Sequence, residues 1–320
     1  MSKYRHRLPQ LRNSLFLTDG GLETTLVFQE QVELPCFAAF TLLRTPAGTA
    51  RLRDYFRTYT RIALEHGVGI VLEAPTWRAN PDWAAKLGYD AASLADANRL
   101  GVGLLLEVRA QMETAATPIV VSGNLGPRGD GYRPESRMSE SAARAYHAAQ
   151  IATFAATDAD MLGAFTMNYV EEAVGIALAA RDARMPLALS FTLETDGRLP
   201  SGQSLVEAIE RVDAATDDYP VYFMINCAHP THFEGMLDEL GAKVGRVRGL
   251  RANASRRSHA ELDASTDLDA GNPLELGGEY RALSRKLPAL TVVGGCCGTD
   301  HRHVAAIARS MTQETHGPAP

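Results

Sequence analysis

No stretch of the chain approaches the roughly 18 uninterrupted apolar residues that a membrane-spanning helix needs, and residues 1–12 are polar, without the apolar segment of a secretory leader. A cytoplasmic protein is therefore expected. Cysteine is scarce, with four residues in 320, at positions 36, 227, 296 and 297. None belongs to a C-x-x-C pair, so neither a disulfide framework nor a four-cysteine structural metal site is indicated. Basic residues are in deficit: 32 Lys and Arg stand against 38 Asp and Glu, a formal net charge of -6. The arginines within 51–61 and 251–257 are too dilute to make the basic face that nucleic acid requires. No G-x-G-x-x-G follows the first apolar run, and Gly101-Val102-Gly103 falls inside a helical pattern, which disfavours a dinucleotide fold. Low-complexity tracts and interdomain linkers are also missing. What remains is a globular domain for small-molecule partners, with self-association left open.

What is present is a regular alternation. Eight β-rich apolar runs occupy 14–21, 67–76, 118–126, 158–166, 186–194, 221–228, 247–255 and 289–298. Helical spacing fills 52–66, 83–116, 139–157, 170–184, 205–215, 231–240, 274–287 and 301–311. Strand alternating with helix implies parallel strands joined by helical crossovers, and eight units imply a single closed (β/α)8 barrel over 1–320. The connections 22–46 and 253–273 are long enough to act as lids, 126–134 reads as one long loop, and the tail 313–320 is expected to fray.

An α/β barrel builds its active site at the C-terminal ends of its strands. Cys227 closes the sixth run, and Cys296 with Cys297 closes the eighth. Three thiolates on one rim point to Zn²⁺ with its fourth position open, as in a catalytic site. Buried, inert cysteines are the alternative. Gly294, Gly295 and Gly298 are expected to let the backbone turn both neighbouring sulfurs toward one metal. Cys36 has no partner in the first loop and reads as packed. His229, His232, His301 and His303 follow the cysteines and read as surface or helix-capping residues.

The segments DGGLETTL (19–26), SFTLETDGRLPSGQSL (190–205), INCAHP (225–230), RANAS (251–255) and VGGCCGTD (293–300) resemble, in order, the motifs of the homocysteine S-methyltransferase family. The resemblance spans nearly the whole chain. It implies the same barrel, a zinc held by Cys227, Cys296 and Cys297, and methyl transfer to a thiol, with homocysteine giving methionine. A zinc barrel of this family with another thiol acceptor, or a purely binding role, is the alternative. It also implies that Asp19 contacts the substrate ammonium, unless Asp19 only caps its turn. Glu23 matches less closely and can be simply solvated. Asn226 and Asn253 are orienting groups or satisfy strand-end backbone. One position departs from the family: Phe165 stands where a Glu is usual, while Thr166 is kept. The lost carboxylate implies either a different acceptor or a replacement by Glu171 or Glu194. Carrier domains for cobalamin or folate would need a much longer chain, so a free sulfonium or quaternary ammonium donor is expected. Trp77 offers such a cation an aromatic face, flanked by Tyr132 and Phe28, though packing is an equal reading for Trp77.

Overall fold

The structure is a computed structural model and describes residues 2–313; of the tail 313–320, everything after Gln313 lies outside the described residues. Its strands are β1 (Phe16–Leu17), β2 (Gly69–Glu73), β3 (Ile119–Leu125), β4 (Met161–Met167), β5 (Leu187–Thr192), β6 (Tyr222–Asn226), β7 (Val247–Ala252) and β8 (Val292–Gly295). Each pairs in parallel with the next, and β1 closes on β8, making an eight-stranded barrel. Each strand falls inside its expected run, except that β4 runs one residue past its run to Met167.

Period-two alternation sorts the side chains. Phe16, Val71, Val120, Met161, Ala188, Tyr222, Met224 and Val292 fill the barrel interior, whereas Leu17, Ile70, Leu72, Val121, Leu162, Leu189, Phe223 and Val293 pack outward against the helices. The N-terminal segment plugs the bottom, where Tyr4 and Leu11 pack against the interior cluster. Asp160, at the foot of β4, locks this plug. It accepts from the Tyr4 N–H at 2.7 Å and the Val121 N–H at 2.9 Å, and it pairs with Arg109 at 2.6 Å. Among the described residues this packing covers the lower end, and the large cavity lies at the upper end.

Two expected helices are interrupted. The 83–116 pattern splits into Pro81–Lys86 and Ala91–Met112, because Gly88 takes φ +72° and Asp90 restarts the chain with a capping box to Ser93. The 231–240 pattern yields only Pro230–Phe233, followed by a 3₁₀ segment Leu237–Arg246 that Gly241 breaks. The other helices fall near their expected spans, such as Glu140–Ala155 behind its Ser139 cap and His301–Thr312 behind Asp300. No described helix is long and apolar enough to cross a membrane.

Candidate active site

The site begins with two residues in left-handed backbone, Thr166 after Phe165 (φ +64°) and Cys227 after β6 (φ +53°). Neither is glycine, so something must hold them there. Asn226 does. Its Oδ1 accepts from the Thr166 N–H at 2.9 Å and the Ser190 hydroxyl at 2.6 Å, while its Nδ2 donates to Thr166 Oγ1 at 2.9 Å and Cys227 Sγ at 3.2 Å. All four hydrogen bonds of the amide are used in turning β4 and β6 toward the axis. Asn253 donates to the Cys227 carbonyl at 3.1 Å and leaves its Oδ1 buried and unpartnered.

The second cysteine turn leans on β7: the Cys296 N–H donates to Ala252 O at 2.8 Å and the Ala254 N–H to Cys297 O at 3.0 Å. Of the three glycines expected to steer it, only Gly298 (φ +78°) supplies left-handed backbone. Gly294 and Gly295 are needed for a different reason, because any side chain there would strike the hydroxyls of Thr18 and Thr299.

The three sulfurs lie within 4.8 Å of one another. Cys227 and Cys296 meet in disulfide contact, with Cα atoms 5.5 Å apart, where the sequence reading expects free thiolates. The strand ends of β6 and β8 aim both sulfurs at one point, as a shared metal ion also requires. Burial pushes the Cys297 thiol up to about 11, so a cation is needed to make it an anionic ligand near neutrality. The donor set thus fits a soft divalent ion such as zinc. Cys36 is not packed as expected; it is exposed at the cavity mouth, in left-handed backbone at φ +57°. Of the four histidines after the cysteines, His229 and His303 cap, accepting from the Thr231 and Asp300 N–H groups, although both are buried; His301 is exposed, and His232 meets the Arg256 carbonyl.

Above the sulfurs opens a cavity of about 620 Å³. Asp19, Glu23, Trp77, Phe165, Thr166 and Asn253 all line it, as does Asn226. Yet Asp19 is not free. Its Oδ1 takes a 2.6 Å bond from Arg251 Nη2 and its Oδ2 a 3.1 Å bond from the Tyr55 hydroxyl. Burial pushes Asp19 upward and the Arg251 guanidinium opposes it. Arg251 also donates through Nε to Gly295 O at 3.0 Å and sits 5.2 Å from the centre of the Phe165 ring. Glu23 is not merely solvated. Burial in the cavity wall raises it to about 7, as it does Glu73 at the end of β2.

Neither expected replacement carboxylate arrives: Glu171 and Glu194 are absent from the lining, and Glu194 instead pairs with His259 Nδ1 at 3.1 Å. Trp77 lines the cavity, with Arg78 4.2 Å over its ring and its Nε1 reaching Phe165 O at 3.4 Å. Tyr132 and Phe28 both border the cavity. The sequence reading missed Arg251, Glu73, Arg78 and His259. A charged residue at or just beyond a strand's C-terminal end is the one signal that could have marked the first three.

A family model described as homocysteine S-methyltransferase matches residues 16–311. Homocysteine S-methyltransferase 3 of Arabidopsis thaliana is 23% identical, over 93% of this chain and 90% of its own length. Homocysteine S-methyltransferase 1 of the same plant is 21% identical, over 92% and 93% respectively. Among solved structures, the oxidized form of the homocysteine methyltransferase MmuM from Escherichia coli superposes with a TM-score of 0.76 at 21% identity, covering 96% of this chain and 99% of that one. Its metallated form gives 0.73, covering 93% and 96%.

Proposed function

The chain belongs to the homocysteine S-methyltransferase family and is an S-methyltransferase; from that premise we propose that it holds zinc on Cys227, Cys296 and Cys297 and methylates homocysteine to methionine. The observation that carries this reading is the convergence of the three sulfurs, within 4.8 Å, in the wall of the large cavity at the C-terminal ends of the strands. Bound there, zinc would supply the positive charge that keeps an acceptor sulfur deprotonated at neutral pH.

The chain's own residues provide the rest. Asn226 fixes the Cys227 sulfur and the Thr166 turn together. Tyr132, stacked on His259 with ring centroids 4.1 Å apart, covers the sulfurs from above. This roof limits water around the reacting sulfur. The acceptor thiolate attacks the methyl carbon of a cationic donor from a distance of about 3 to 3.5 Å. A sulfur–carbon bond forms as the bond from that carbon to the donor's sulfur or nitrogen breaks. The bonding pair leaves with the donor heteroatom, and the thiol proton goes to solvent. The donor is a free sulfonium or quaternary ammonium compound that enters beneath the loops carrying Phe28, Trp77 and Tyr132.

The test is reconstitution with zinc under reducing conditions, followed by a screen of sulfonium and quaternary ammonium donors against homocysteine. Mass identification of methionine is the expected result. No product with any donor would overturn the reading.

A further inference from the structure

If homocysteine is the acceptor, as proposed above, its head group must find partners that Asp19 cannot supply. Both Asp19 oxygens are already held, one by a buried guanidinium and the other by a buried tyrosine. An ammonium placed there would compete with Arg251 for the same carboxylate. Phe165 contributes no charge, and its ring closes this side of the cavity.

Beside the orphaned atoms of Asn124, Asn253 and Arg78 in the cavity wall, two buried groups of opposite charge in the same cavity are incompletely satisfied. Arg251 is 8% exposed and uses Nε and Nη2 on Gly295, Asp19 and Gly20. Its Nη1 has no hydrogen-bond partner among the described residues. Glu73 is 4% exposed, and its buried Oε2 makes no well-formed hydrogen bond; the Ser122 hydroxyl, itself without a partner, is the neighbouring donor that favours its charged form. A buried carboxylate oxygen without a full complement of donors is disfavoured in its charged form until a donor arrives, and burial accordingly raises Glu73 to about 7. The two groups are near enough to sense each other's charge. Both residues point inward by strand alternation, Glu73 with Val71 on β2 and Arg251 with Gly249 on β7. Gly163 on β4 makes the space: a Cβ there would come within 2.7 Å of Glu73 Oε2 and 2.6 Å of the Phe165 ring. The inward phenylalanine and the inward glutamate thus share one vacancy left by a missing side chain.

We propose that the acceptor's amino-acid head group is received by an exchanged pair, its ammonium by Glu73 and its carboxylate by the free Nη1 of Arg251, while Asp19 serves to hold Arg251 in place. A zwitterion suits this arrangement because each of its charges meets a buried opposite charge. Arg251 is then a specificity-determining residue, and Asp19 a positioning residue.

Calorimetric titration of the zinc-loaded protein with three thiols tests this without relying on turnover. They are L-homocysteine, 4-mercaptobutanoate, which lacks the ammonium, and 3-aminopropane-1-thiol, which lacks the carboxylate. Wild-type protein should bind homocysteine at least about tenfold more tightly than either analogue, the scale of one charge-assisted hydrogen bond. Glu73→Gln should abolish the preference over 4-mercaptobutanoate while leaving affinity for that analogue within about twofold. Arg251→Met should abolish the preference over 3-aminopropane-1-thiol. Asp19→Asn should leave the homocysteine to 4-mercaptobutanoate ratio unchanged.

The proposal is overturned if Asp19→Asn or Glu23→Gln, rather than Glu73→Gln, removes that ratio. It also falls if wild-type protein binds all three thiols alike. In that last case methyl transfer to homocysteine can persist, which separates this failure from failure of the functional reading. Should Arg251→Met not fold, the wild-type comparison of homocysteine with 3-aminopropane-1-thiol still decides the carboxylate half.

Discussion

The Tyr132 ring lies stacked on the His259 imidazole, centroids 4.1 Å apart and planes 29° from parallel, and the Tyr132 hydroxyl comes within 3.8 Å of Cys297 Sγ. His259 in turn donates to the Cys227 carbonyl. The loop after β3 and the loop after β7 are therefore joined directly above two of the three sulfurs. Tyr132→Ala should open this roof and raise KM for both substrates by about two- to tenfold, matching the ~0.5 to 1.5 kcal/mol of a stacked pair. Tyr132→Phe keeps the stack and should stay within about threefold of wild type. Steady-state kinetics on the two variants checks this; equal damage in both would move the importance from the ring to the hydroxyl.

Asn226 is the best-connected polar side chain of the site. Removing it in Asn226→Ala leaves the buried Thr166 N–H and Ser190 hydroxyl without their acceptor and frees two residues held in left-handed backbone. A loss of about 2 to 4 kcal/mol is expected, with weaker zinc retention because Cys227 loses its anchor. Denaturant unfolding together with metal exchange against a chelator measures both effects.

Glu73 makes stability depend on pH. Its pKa is raised from 4.5 to about 7 in the folded chain by burial. The neutral form is thus favoured by folding. This contribution is fully present below pH 4.5 and is lost as pH rises through about 7. Ligand-free wild type should therefore lose stability relative to Glu73→Gln between pH 5 and pH 8, by a few kcal/mol at most. Chemical unfolding at the two pH values gives the difference, and a constant difference would contradict it.

The sequence made the barrel legible because strand and helix alternate in period-two and helical patterns that local chemistry sets. It also exposed the cysteines, since each follows a strand and the strand ends of a barrel share one rim. It could not show the Asp19–Arg251 pair, which joins residues 232 positions apart through closure of β8 onto β1. Nor could it show that Glu73 points inward while Glu194 turns away to His259, because a strand's facing is fixed only by its register with neighbours. The helix expected at 231–240 failed for a plainer reason: Gly235 sits in its middle, and Leu237 and Leu240 are buried just as well from a 3₁₀ segment.

The most direct measurement is zinc content per chain after reconstitution under reducing conditions, in wild type and in Cys227→Ala, Cys296→Ala and Cys297→Ala, each assayed for methionine formation. One tightly held zinc ion in wild type, lost together with methyl transfer in every variant, is the predicted result. A wild type that takes up no zinc, or a variant that keeps both zinc and activity, would contradict the three-sulfur site.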